Sequence, residues 1–163
     1  MISINEAISI EDYNVIERLG NIIWREHYIP IVGEAQIDYM LKKFQSANAI
    51  ANQVASGYSY FLLYYDMIPV GYIAIKKHVD TLFLSKIYVL SGYRGKKIGK
   101  TALEFIEVKA KNQRLKTITL TVNKNNRNAI NAYKKLGFDN LGSIVTDIGE
   151  GFVMDDYKMV KTL

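Results

Sequence analysis

Hydrophobic periodicity changes twice between positions 82 and 122, and that change limits the folds open to this chain of 163 residues. Leu82 to Val89 reads as a strand. From Lys97 to Asn112, the residues Ile98, Ala102, Phe105 and Ile106 recur at helical spacing, and Thr117-Ile118-Thr119-Leu120-Thr121-Val122 then alternates strictly. Strand, helix and strand in that order close by a right-handed crossover with the two strands near-parallel. Upstream, Tyr58 to Tyr65, a turn region Asp66-Met67-Ile68-Pro69, Val70 to Lys77 and Leu82 to Val89 predict an antiparallel meander.

The remaining elements follow from caps and breakers. Ile2 to Asn5 reads as a short strand, and Ser9 with Glu11 and Asp12 opens a helix that should reach about Tyr28 before Pro30 stops it. Helices are predicted over 34–44 and 48–55, the latter ending at Gly57. Asn126 caps a short helix to Leu136, with Gly137 just past its end and Phe138 placed to pack back on the last turn. Two closing strands, about 139–146 and 152–159, flank Gly149-Glu150-Gly151. With no linker, repeat or low-complexity stretch, one α/β domain over 1–163 is expected.

Composition removes several classes of function. There are no cysteines and only two histidines, His27 and His78, so thiolate chemistry and Cys or His-rich metal centres are not expected. Met1 opens into Ile-Ser-Ile-Asn with no basic lead into an apolar run, and no run is long enough to span a membrane. A cytoplasmic protein with no membrane partner is the expectation. The net charge of +5 is uneven: from Leu84 to Phe138, 13 Lys and Arg face only Glu104 and Glu107, whereas Asp139 to Leu163 carries five acids against Lys158 and Lys161. A basic middle suits an anionic ligand and an acidic end a cationic one, although a solvated basic surface has the same composition.

The chemistry concentrates in Leu90-Ser91-Gly92-Tyr93-Arg94-Gly95-Lys96-Lys97-Ile98-Gly99-Lys100. A strand feeding a helix N-terminus through small residues presents unpaired backbone N–H groups and the positive end of the helix dipole, which together suit a phosphate. Arg94, Lys96, Lys97 and Lys100 add positive charge with no acid among them. Neither a Walker loop nor a Rossmann fingerprint fits, since only three residues separate Gly95 from Gly99 and the glycines at 92, 95 and 99 have the wrong spacing.

This loop resembles motif A of the GNAT superfamily of acetyl-CoA-dependent N-acetyltransferases, Arg/Gln-x-x-Gly-x-Gly/Ala. Arg94 and Gly99 match its ends, and Lys97 stands where the family usually has its middle glycine. A second match follows at the family's usual separation. The stretch Asn123 to Phe138, with Asn126, Ala129, Tyr133, Lys135 and the ending Leu136-Gly137-Phe138, is similar to the segment in which an Asn leads a short helix ending Tyr-x-x-x-Gly-Phe. The resemblance implies one mixed, mostly antiparallel sheet of about seven strands flanked by helices and splayed at the strand that binds coenzyme A. The ending Gly151 to Tyr157 is similar to endings in a bacterial branch that includes spermidine/spermine-type acetyltransferases.

The resemblance also implies roles. Ile87, Tyr88 and Val89 would pair with the pantetheine arm of acetyl-CoA, and Arg94, Gly95, Lys96, Lys97, Ile98, Gly99 and Lys100 would hold its pyrophosphate. Asn123, Asn126 and Lys135 match cofactor-contacting positions, though the two asparagines also suit a strand-end turn and a helix cap. Tyr133 matches the tyrosine that gives a proton to the departing thiolate, where periodicity alone favours core packing with Ala129 and Leu136. Trp24, His27 and Tyr28 fall where the family builds its acceptor wall, and Asp155 and Asp156 lie on a strand bordering the acceptor. No general base stands out among Glu26, His27, Glu34, Asp147, Asp155 and Asp156. The implied activity is acetyl transfer from acetyl-CoA to a primary amine, a polyamine or other small cation, with no nucleic-acid partner; a homodimer, a CoA-binding sensor and a basic nucleic-acid-binding module without catalysis stay open.

Overall fold

The computed structural model describes residues 1–163. Its strands are β1 (Ile2–Glu6), β2 (Tyr58–Tyr65), β3 (Ile68–Lys77), β4 (Thr81–Val89), β5 (Thr117–Asn123), β6 (Asp139–Gly149) and β7 (Phe152–Thr162). The helices are α1 (Ile10–Val32), α2 (Glu34–Phe44), α3 (Ala47–Ala55), α4 (Ile98–Asn112) and α5 (Arg127–Lys135). One open seven-stranded sheet has the order β1-β2-β3-β4-β5-β7-β6. The β4–β5 pair is parallel, as the period change predicts, while β1–β2, β2–β3, β5–β7 and β6–β7 are antiparallel. The parallel register covers Thr81–Leu84 against Thr117–Leu120 and stops there, although β4 continues to Val89. Backbone proximity divides the chain into two compact units, residues 1–76 with 86–106 and residues 77–85 with 107–163.

In the first unit, alternate residues of β2 and β3 point to opposite faces. Tyr60 and Tyr72 face the layer of α1, α2 and α3, where the fully buried Gln45 accepts a hydrogen bond from the Tyr72 hydroxyl (2.5 Å) and donates to Tyr60 (3.2 Å). The Tyr60 hydroxyl donates to Gln53 of α3. Buried polar groups need such partners, and here they fix the helices over the sheet. Phe61 points the other way and meets Phe105 of α4, with ring centroids 5.1 Å apart.

Two local expectations are corrected here. Helix α1 does not stop before Pro30 but runs to Val32, because a proline in the last turn forfeits only the bond its nitrogen would give to Glu26. Gly33, at φ 88, ends the helix, and its N–H bonds the Ile29 carbonyl. The turn after β2 is only Asp66-Met67, both at positive φ (49 and 69), as a two-residue hairpin of this hand requires. Pro69 therefore lies within β3, opposite Tyr64 beside a register shift.

In the second unit, Ile118, Leu120 and Val122 of β5 are buried with Ile130, Phe138 and Met159. Helix α5 ends as its sequence predicts. Gly137 takes φ 98, the Phe138 N–H bonds the Tyr133 carbonyl (3.0 Å) and the Gly137 N–H bonds that of Lys134 (3.1 Å). Strand β6 forms the outer edge, and its residues are exposed up to Ile148.

The tightest backbone approach in the first unit is at Gly71, where an added Cβ would lie 2.3 Å from the Tyr88 carbonyl oxygen and 3.1 Å from the Val89 Cα. These are backbone atoms of β4 and cannot swing away as a side chain would. Gly71→Ala should therefore lower unfolding stability by roughly 1–3 kcal/mol in urea titration. Gly92→Ala, with nothing within 4 Å of the added carbon, should stay within about 0.5 kcal/mol.

Candidate functional site

Past Val89 the chain makes a short 3₁₀ turn (Ser91–Tyr93), extends at Arg94, and turns again through Gly95 at φ 80 and Lys97 at φ 64. The loop thus does need a left-handed residue at 97. A lysine there costs roughly 1 kcal/mol relative to an unstrained position, and the local shape is kept regardless. The first helical bond of α4 runs from the Thr101 N–H to the Lys97 carbonyl, so the amides of Ile98, Gly99 and Lys100 precede the ladder. Ile98 is buried and anchors this end, whereas Gly99 has nothing within 4 Å of where a Cβ would stand. No acid occupies the first turn. Arg94, Lys96, Lys97 and Lys100 are exposed.

Two aromatic residues that sequence reasoning missed brace this loop. Tyr65, at the end of β2, packs against Tyr93 (ring centroids 5.9 Å) and lies under the Lys96 ammonium (5.4 Å). A terminal strand tyrosine carries no signal of this kind in one sequence, since the partner is almost thirty residues away.

Tyr88 of β4 is half-buried and meets the acceptor-wall residues foreseen on α1. Its ring lies 5.5 Å from Trp24 and 6.2 Å from Tyr28, and the hydroxyls of Tyr28 and Tyr88 are 3.1 Å apart. His27 stacks edge-on against Tyr28 at 4.8 Å. Trp24 itself is buried, and its indole N–H has no hydrogen-bond partner. Burial holds the phenols of Tyr60 and Tyr72 well above their ordinary range, so both stay neutral.

Lys86 was not singled out by sequence. It is half-buried on β4, with its ammonium 5.9 Å from the Tyr60 ring centroid and 6.0 Å from that of Tyr58. Desolvation pushes its pKa down to about 8. The signal available in the sequence was a lysine in a mostly apolar strand.

The second unit carries the other foreseen residues. Asn123 ends β5 and accepts from the Asn125 N–H (2.9 Å), while Asn126 caps α5 by accepting from the Ala129 N–H (3.4 Å), so both take the turn and cap roles. Tyr133 is half-buried rather than core, its ring edge-on to Phe138 at 5.6 Å, and Lys135 is exposed on the last turn of α5. Asp155 pairs with Lys124 at 2.7 Å. Asp156, opposite Asn123 in the sheet, is only 5% exposed. Burial pushes its pKa up to about 6, with the Asp155 charge adding and Lys124 opposing.

A carboxyl at about 6 in the folded chain and 3.8 unfolded costs stability above pH 6 and nothing below 3.8, where both states are protonated. Asp156→Asn should therefore raise stability at pH 7.5 by up to about 3 kcal/mol, and the gain should vanish as pH falls from 6 to below 4. Thermal melts of both proteins across that range read it. A pH-independent difference, or a loss at pH 7.5, contradicts a strained carboxyl.

The model of the Acetyltransferase (GNAT) family matches residues 16–138. Spermidine N(1)-acetyltransferase of Thermoplasma acidophilum is 25% identical over 153 residues, covering 91% of this chain and 92% of that protein. Among solved structures, PaiA N-acetyltransferase from Thermoplasma acidophilum in complex with coenzyme A superposes with a TM-score of 0.84 at 24% identity, covering 100% of this chain and 99% of that one. The ribosomal-protein-S18-alanine N-acetyltransferase of Escherichia coli reaches 0.75 at 18% identity, covering 99% and 94%. The family model takes in β4, the basic loop, α4 and the Tyr133 helix together, so the chain belongs to the GNAT family of acetyltransferases.

Proposed function

We propose that this chain, acting as one catalytic domain in the cytoplasm, transfers the acetyl group of acetyl-CoA to the primary amine of a small cationic acceptor of the polyamine kind. The observation that carries the reading is the junction of β4 and α4. Its unladdered amides, open Gly99 and four exposed cations form an anion cradle, and Lys97 adopts the left-handed turn despite its side chain. That retained turn favours a working loop over a CoA-binding sensor with a degenerate motif. The single-domain reading rests on the family match running through both compact units.

The roles follow from the chemistry. Amides at Ile98 to Lys100 and the cations of the loop bind the pyrophosphate, and the backbone of Ile87 to Val89 aligns the pantetheine arm. One N–H of that strand stabilises the oxyanion that develops when the acceptor nitrogen attacks the thioester carbonyl. Tyr133, whose hydroxyl is protonated at neutral pH, gives its proton to the sulfur as the C–S bond breaks. Asp155 and Asp156 draw a cationic acceptor by charge. The 25%-identical spermidine acetyltransferase supports the polyamine choice, as does the acidic ending.

Release of free thiol from acetyl-CoA in the presence of spermidine, lysine peptides and aminoglycosides tests the reading, with turnover greatest for spermidine. Tyr133→Phe should lower kcat by roughly 10²-fold with little change in acetyl-CoA affinity. An unchanged kcat returns Tyr133 to a packing role, and turnover confined to peptides discards the polyamine acceptor.

A further inference from the structure

An alkylamine reaches the enzyme as an ammonium ion and must lose a proton before its nitrogen can attack the thioester. The group that takes this proton must be ionised at the working pH and not already committed to a partner within the fold. In the second unit the neighbours Asp155 and Asp156 divide on that point. Asp155 is exposed and paired with Lys124 at 2.7 Å, and its backbone carbonyl accepts from the Lys124 N–H (3.2 Å). The Lys124 ammonium also lies over the Tyr157 ring, 5.6 Å from its centroid. Asp156 is only 5% exposed, yet its carboxylate accepts no hydrogen bond and neither oxygen is sealed from solvent. Carboxylates buried to this degree are ordinarily met by donors, so folding stability does not account for this one.

Strand register fixes where Asp156 points. It stands opposite Asn123, while Tyr157 stands opposite Val122. Asp156 therefore shares a face with Asn123, Thr121 and Thr119, and the buried Ile118, Leu120, Val122 and Met159 lie on the other. Asp156 is thus a buried carboxylate on the polar face of these strands, outside the apolar core. It also lies beside the last residue of β5, from which the chain turns through Asn123 and Asn126 into α5, the helix that carries Tyr133.

We propose that Asp156 is the proton acceptor for the incoming amine, a role that rests on the acetyl-transfer reading above and goes beyond attraction by charge. The Asp156 carboxylate takes one proton from the acceptor ammonium and becomes a carboxylic acid. The freed nitrogen lone pair forms the C–N bond to the acetyl carbon, the C–S bond breaks with its electron pair on sulfur, and sulfur is protonated by Tyr133. The proton left on the new amide nitrogen restores Tyr133, and Asp156 returns its proton to solvent.

The surroundings within this unit suit the step. The charged groups about Asp156 are Asp155 and Lys124, with Lys158 two residues further along the same face of β7, and the apolar Ile144 stands opposite it on β6. Burial first, then the Asp155 charge, lift the carboxyl to about 6 against the pull of Lys124. At neutral pH it is therefore mostly ionised, yet it holds a proton roughly 10²-fold more tightly than an ordinary aspartate.

The test compares two acceptors in the full-length enzyme: spermidine, which arrives protonated, and trifluoroethylamine, which is already neutral at pH 7.5. Asp156→Asn keeps the shape of the side chain and relieves the buried charge, so it should melt no lower than the wild type at that pH. It should lower kcat at saturating spermidine roughly 10²-fold and leave kcat for trifluoroethylamine within about threefold. In the wild type, kcat/KM for spermidine, which stays protonated at these pH values, should fall as pH drops below about 6. A raised KM with unchanged kcat reduces Asp156 to attraction by charge and overturns the assignment, as do equal losses of kcat for both amines. A flat wild-type profile across pH 6 overturns it whether or not the variant folds. Absence of thiol release from every amine by the wild type overturns the acetyl-transfer reading itself, and the proposal with it.

Discussion

Strands β4 and β5 run parallel over only Thr81–Leu84, and a parallel pair can be joined only by a crossover of a dozen or more residues. That one pairing obliges the chain to leave β4, turn, and climb α4 before it can start β5. The turn therefore delivers a helix N-terminus directly after the strand, with its amides unladdered and its dipole positive end foremost. The same constraint explains the glycine content of the loop, which must reverse direction in a few residues. Gly95 and Lys97 take the positive φ angles, and Ile98 anchors the helix by burial.

Each of the two units, taken by itself, holds a buried side chain whose charged form desolvation disfavours, and the two shift in opposite directions. Lys86 is lowered to about 8, while Asp156 is raised to about 6. Neither shift benefits folding. Each lowers stability at neutral pH, because the unfolded chain holds the charged form at no desolvation cost. Tyr60 and Tyr72, by contrast, are buried phenols whose neutral form is the stable one, and their bonds to Gln45 make them structural.

Most of the element order was legible because each segment announced its own period and stops: strict alternation in Thr117 to Val122, Ser9 and Asn126 as caps, Gly137 as a terminator. The errors came where a breaker residue was read without its position. Pro30 stops nothing because it falls in a last turn, and Pro69 sits inside β3 because Asp66 and Met67 alone make the reversal. The loop and Tyr133 could be singled out as candidates because their spacing is local. Tyr65 and Lys86 could not, since their surroundings come from neighbours supplied by distant strands, and a strand tyrosine or a strand lysine looks the same in sequence whether solvated or enclosed.

The central claim is that the end of β4 and the start of α4 bind acetyl-CoA through backbone amides, and hydrogen exchange reads those amides individually. Adding saturating acetyl-CoA should slow exchange at Ile98, Gly99 and Lys100 and at one or more of Ile87 to Val89, while the edge strand β6 is unaffected. Binding of acetyl-CoA with no added protection at either stretch would contradict the account and move the cofactor elsewhere on the chain.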